Sequence, residues 1–85
     1  MKTLNTLVDL LKAKAKKTTD DFDLLEFEKG KYFFGVVKNG KEFEGITISR
    51  KLDAKYTNRI GFKIIDTIDC YSEKNEARIT RYLQD

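Results

Sequence analysis

Residues 32–49 read YFFGVVKNGKEFEGITIS, and this stretch decides the fold. Tyr32, Phe33, Phe34, Val36 and Val37 are aromatic or β-branched, the types that suit a pleated, half-buried surface. Asn39 and Gly40 follow. Both tolerate positive φ, which a two-residue hairpin turn demands at its centre. Beyond the turn, Phe43, Gly45, Thr47 and Ser49 alternate with Glu44, Ile46 and Ile48, the period of a strand with two different faces. An antiparallel hairpin is therefore the anchor, and the rest of the chain is placed outward from it.

On the N-terminal side, Lys29-Gly30-Lys31 reads as a turn, preceded by a strand in which Phe22, Leu24 and Glu26 alternate with Asp23, Leu25 and Phe27. Residues 18–21, Thr-Thr-Asp-Asp, read as a polar connector. Residues 3–17 read as an amphipathic helix, with Leu4, Leu7, Val8, Leu11 and Ala15 at helical spacing and Thr3 or Asn5 as the cap. Lys12, Lys14, Lys16 and Lys17 crowd its last turns, where cations meet the negative end of the helix dipole. That explains one or two of them; four in six residues exceeds what a helix end needs.

On the C-terminal side, residues 50–58 read as a polar, basic loop. Ile60, Phe62, Ile64, Ile68 and Cys70 share one face of a long strand that Asp66 interrupts, and residues 72–76 are turn-like. The last segment has two readings. Ala77, Ile79 and Leu83 alternate as a strand does, while Ile79 and Leu83 also stand at i, i+4 in a helix over Glu73–Leu83. The β-branched pair Ile79-Thr80 favours the strand. The expected fold is α+β: one domain over residues 1–85, an N-terminal amphipathic helix and a meandering antiparallel sheet of about five strands, open or barrel-like.

Composition limits the chemistry. The 85 residues contain no histidine and one cysteine, Cys70. Ser-His-Asp and Cys-His sites are therefore excluded, as is a structural zinc site. Glycines 30, 35, 40, 45 and 61 make neither a P-loop nor a dinucleotide-binding pattern. Asp20, Asp21 and Asp23 lack the glycine and distal glutamate of a calcium loop. Glu26/Glu28 and Glu42/Glu44 stand at i, i+2 on wet strands, without the shielded cleft that acid–base catalysis needs. The chain is read as a binding protein that is not an enzyme and uses no cofactor. No apolar run approaches the roughly 20 residues of a membrane span, and MKTLNTLVDLL, with Asp9 in its middle, does not read as a signal peptide. One thiol, expected to be a small buried hydrophobe, points to a reducing cytoplasm.

Charge is distributed unevenly. Residues 1–17 carry +4, residues 18–28 carry −5, residues 29–63 carry +6 and residues 64–85 carry −2, within a total of +3. The local field of the basic middle favours an anionic partner. Lys29, Lys31, Lys38 and Lys41 flank the two turns, while Arg50, Lys51, Lys55 and Arg59 bracket a loop that holds Tyr56. Tyr32 adjoins Lys31. Cations neutralise phosphates and aromatic rings stack on bases, so these ten residues are the candidate surface for single-stranded RNA. The competing reading is that lysines solubilise sheet edges and block edge-to-edge pairing.

Two resemblances add to this reading. Residues 36–47, VVKNGKEFEGIT, look like the first motif of Sm-like RNA-binding proteins, which place an N-terminal helix ahead of a five-stranded barrel. This chain departs from that pattern: residues 22–31 intervene, and Asp53 and Asn58 come later than the family's spacing. The whole chain, short, lysine-rich and pairing a helix with an aromatic-rich sheet, resembles the small accessory proteins of T-even bacteriophages, and among them the RNA-binding antitoxins. That resemblance implies a homodimer in the host cytoplasm that binds RNA and neutralises a host endoribonuclease toxin of a type III toxin–antitoxin system. It rests on no diagnostic motif and transfers no residues. The alternative is an inhibitor that blocks a host enzyme directly, without nucleic acid, through the apolar stripe of the N-terminal helix.

Overall fold

A computed structural model describes residues 2–40, 42–51 and 61–84. Five antiparallel strands run in simple meander order: β1 (Lys16–Asp20), β2 (Leu24–Lys29), β3 (Tyr32–Asn39), β4 (Glu42–Lys51) and β5 (Phe62–Ile68). Helices α1 (Leu4–Lys14) and α2 (Glu73–Leu83) lie on one face of this sheet. Among the described residues β1 and β5 remain edges, so the sheet is open and the barrel implied by the Sm-like resemblance does not form.

The core has one side because antiparallel partners share a face. Phe27 pairs with Phe34 and Phe34 with Ile48, while Leu25 pairs with Val36, Val36 with Ile46 and Ile46 with Ile68. All of these are buried against Leu7, Val8 and Leu11 of α1 and Ile79 and Leu83 of α2. Both reversals use glycine where φ is positive, Gly30 at 59° and Gly40 at 63°. Asn39 pairs with Glu42, so it closes the strand instead of standing at the centre of the turn as expected.

Several expectations change. The helix is N-terminal but shorter than residues 3–17 and not clearly amphipathic, since Leu10 and Thr6 are half-buried on either side of the Leu7–Leu11 stripe. Thr3 caps it, accepting from the Asn5 amide at 3.2 Å. Ala15 turns extended, and Lys16 and Lys17 enter β1 together with Thr18, Thr19 and Asp20. The connector of residues 18–21 is thus mostly an edge strand, its polarity suited to an edge that faces water.

Residues 73–83 form a helix, not a strand. Ser72 caps α2 by accepting from the Asn75 amide at 3.0 Å, and Glu73 and Glu76 sit in its first turn, where the helix dipole favours anions. The Thr80 hydroxyl is satisfied inside the helix by donating back to the Glu76 carbonyl at 2.8 Å. A bulge at Ile65 splits the single face expected for the last strand: Phe62 and Ile64 fall opposite the helices, whereas Asp66 and Ile68 fall beneath them. Cys70 is exposed, contrary to the buried position expected of it, and the neighbouring Asp69 carboxylate raises its thiol pKa. Among the described residues no helix is long and apolar enough to cross a membrane.

Candidate nucleic-acid interface

The sheet register aligns part of the basic middle. Lys29 pairs with Tyr32, Tyr32 with Arg50, and Arg50 with Lys63. These four residues make one row across β2, β3, β4 and β5, on the face that also carries the helices. The row lies two residues beyond the core row of Phe27, Phe34 and Ile48. Three strand spacings of about 4.8 Å put the Lys29 and Lys63 backbones roughly 14 Å apart.

The last turn of α2 reaches the same corner. Arg81, Tyr82 and Gln84 join Tyr32, Asp66 and Arg78 around an open cleft of about 790 Å³. Asp66 organises it. Arg78 donates to both Asp66 oxygens, at 3.1 Å through Nε, and the Tyr82 hydroxyl donates to Oδ2 at 3.1 Å. The Asp66 side chain is only 15% exposed, so this carboxylate neutralises Arg78 and pins α2 to β5. Burial first, and the hydrogen bond to Asp66 second, push the Tyr82 hydroxyl above its ordinary range, which keeps it a donor.

With Arg78 paired, the field of the corner comes from Lys29, Arg50, Lys63 and Arg81. Among the described residues these four form no ion pair, and all but the half-buried Lys29 are exposed. Lys31 stands at the adjoining turn, its ammonium 5.5 Å from the centroid of the Tyr32 ring. Tyr32 also meets Tyr82 edge-on, with centroids 4.9 Å apart and planes at 72°. Its ring is engaged by Lys31 and Tyr82 and acts first as a link between β3 and α2.

Of the ten residues expected to form the surface, Lys29, Lys31, Tyr32 and Arg50 come together here. Lys38 does not. It lies at the far end of β3, where its ammonium donates to Asp20 at 3.1 Å and to the Asp21 carbonyl at 3.1 Å. Lys51 projects from the opposite face and pairs with Glu28. Arg50 and Lys51 end β4 instead of opening a loop. Lys41, Lys55, Tyr56 and Arg59 lie outside the described residues.

Lys63, Arg81 and Tyr82 belong to the corner and were missed by the sequence reading. Reading 73–83 as a helix brings Arg78, Arg81 and Tyr82 to one side at i, i+3 and i+4, and that was the available signal. The apolar stripe of α1, the contact expected of a direct inhibitor, goes into the core through Leu7, Val8 and Leu11. The chain matches no known protein family, and no curated protein or solved structure matches it.

Proposed function

We propose that this chain is an RNA-binding protein, acting by binding and not by catalysis, and that the corner of Lys29, Arg50, Lys63 and Arg81 holds the phosphates. The observation that carries the proposal is the cross-strand row, because it turns dispersed lysines and arginines into one cationic line that has no ion pair among the described residues. Such a line suits a backbone-directed contact that tolerates many sequences. Tyr32 and Tyr82 border the cleft, and a base stacks on Tyr32 only where Lys31 swings aside.

Taken with the resemblance to T-even phage antitoxins, the reading extends to counter-defence: in the host cytoplasm the protein neutralises an endoribonuclease toxin, together with RNA. The test is co-purification of the tagged protein from cells, with and without ribonuclease, at two salt concentrations. RNA that co-purifies and is lost at high salt supports the proposal. A single protein that survives both ribonuclease and salt, with no nucleic acid, replaces it with direct inhibition of a host enzyme. Growth rescue during co-expression with an endoribonuclease toxin then tests the antitoxin role, and Arg50→Glu with Lys63→Glu is expected to abolish that rescue.

A further inference from the structure

Both helices end where the cationic row lies. α1 runs directly into β1, and Lys16 pairs with Glu28, so Ala15, the C-cap of α1, stands beside Lys29. α2 brings Arg81 and Tyr82 to the same row, where Tyr82 meets Tyr32. At the other ends of the helices, Lys2 lies 3.7 Å from Glu76 in the first turn of α2, so the two helices run in the same direction. Their C-terminal ends share one pole of the molecule. Asp21 and Asp23 at the β1–β2 connection, with Asp69 and Glu73 at the start of α2, make the opposite pole acidic. A polyanion is therefore steered to the pole that holds the row.

Each helix C-terminus carries about half a negative charge, which by itself repels a phosphate. The cations at this pole exceed that amount. On α2, Arg78 is neutralised by Asp66 and Arg81 is left. On α1, Lys12 and Lys14 stand in the last turn, both exposed, and neither forms an ion pair among the described residues. Two full charges against about half a charge leave more than one in surplus. The other two lysines of this stretch are engaged elsewhere. Lys17 pairs with Asp20 at 3.2 Å. Lys16 stands across from Glu28 on the open face of the sheet, opposite the helices, where Lys51 also meets Glu28.

We infer that the end of α1 continues the phosphate track, so that a single strand of RNA runs from Lys12 and Lys14 along the row of Lys29, Arg50 and Lys63. This rests on the RNA reading proposed above and adds to it a second anchoring element and a length. Ala15 stands four strand spacings from Lys63, about 19 Å at about 4.8 Å each. A stacked strand advances about 3.4 Å per phosphate, so the longer path meets about six phosphates, against about four for the row alone. The path is a line bordered by Tyr32 and Tyr82, which suits a strand with bases to stack better than a flat anionic surface.

Fluorescence anisotropy of oligouridylates of about four and about eight nucleotides tests the inference. It compares the parent, Lys12→Gln/Lys14→Gln, and Lys2→Gln/Lys74→Gln, which removes the same charge from the acidic pole. Glutamine matches lysine in helix propensity, and circular dichroism verifies that each variant is folded. Lys12→Gln/Lys14→Gln is expected to bind the longer strand about tenfold more weakly at low salt, with the slope of log affinity against log salt reduced by about 1.4. It is expected to bind the shorter strand within about twofold of the parent, and the acidic-pole variant to match the parent at both lengths. Parent-like binding of both lengths by Lys12→Gln/Lys14→Gln overturns the inference and leaves the RNA reading in place. So does an equal loss at both lengths, or an equal loss in the acidic-pole variant, because each marks overall charge and not a longer track. A parent that binds neither strand overturns the RNA reading together with this inference, and its binding to phosphatidylserine vesicles then assigns the pole to a membrane surface.

Discussion

Phe33 and Phe34 are neighbours in sequence and opposites in fate. Phe34 is fully buried beneath α1 and α2, whereas Phe33 lies half-buried on the open face beside Phe62. The ionic groups divide in the same way. On the face of the helices, Arg78 is tied to the shielded Asp66, and the row of Lys29, Arg50 and Lys63 forms no ion pair among the described residues; on the open face, Lys51 pairs with Glu28. Among the described residues one sheet thus presents a cationic corner on the face that carries the helices, and exposed apolar groups beside carboxylates on the other. The lesson is that the alternation of a strand sorts charge as well as burying a core: one face ends in a cationic corner, and the other carries exposed apolar side chains among acidic and paired groups.

The largest expected effect that separates the faces is on stability. Phe34→Ala is expected to cost about 3–5 kcal/mol at every protein concentration, by urea denaturation. Ile64→Ala is expected to stay within about 0.5 kcal/mol in dilute solution and to lower the midpoint only where the parent self-associates. Equal costs at both positions break the distinction.

Next come the two ion pairs. Asp66→Ala leaves the Arg78 guanidinium and the Tyr82 hydroxyl half-buried without their acceptor. It is expected to cost about 1–3 kcal/mol, with hydrogen exchange in α2 accelerated ahead of that in β3. Glu28→Ala, on a pair whose side chains are both 36% exposed, is expected to cost only about 0.2–1 kcal/mol.

The smallest effect concerns the far end of β3. Hydrogen bonds from Lys38 and then Lys17 hold the Asp20 carboxyl below its ordinary value of 3.8. A depressed carboxyl stabilises the fold above its unfolded pKa and loses that contribution as pH falls through its folded value. Lys38→Met is therefore expected to lower stability slightly at neutral pH and to flatten its decline below about pH 4. A steeper acid decline in Lys38→Met contradicts this account of the pair.

The β3–β4 hairpin was legible because its aromatic and β-branched runs and its turn residues agree. Leu7, Val8, Leu11, Ile46 and Ile48 were likewise legible from their spacing. β1 was not: Lys16-Lys17-Thr18-Thr19-Asp20 has no apolar residue to show a period of two, since an edge strand flanking the core owes its place to backbone pairing. α2 was hidden by Ile79-Thr80, whose local strand preference is overridden by the Ser72 cap and by burial of Ile79 and Leu83. The bulge at Ile65 leaves no mark in the sequence, yet it puts Phe62 and Ile64 on the open face. Charge alone pointed to Lys29, Lys31 and Arg50. Lys63 and Arg81 join them only through the register of β5 and the helix, and only the fold brings Lys38 to Asp20 and Lys51 to Glu28.

The most direct test is a fluorescence-anisotropy titration of a short single-stranded RNA across a range of salt. It compares the parent with Arg50→Glu/Lys63→Glu on the covered face and with Phe33→Ala/Phe62→Ala on the open face. The account predicts that the charge-reversed variant binds at least about tenfold more weakly at low salt, with the slope of log affinity against log salt reduced by about 1.4, while the open-face variant binds as the parent does. Unchanged binding by the charge-reversed variant, or loss of binding confined to the open-face variant, contradicts the assignment of RNA to the covered corner.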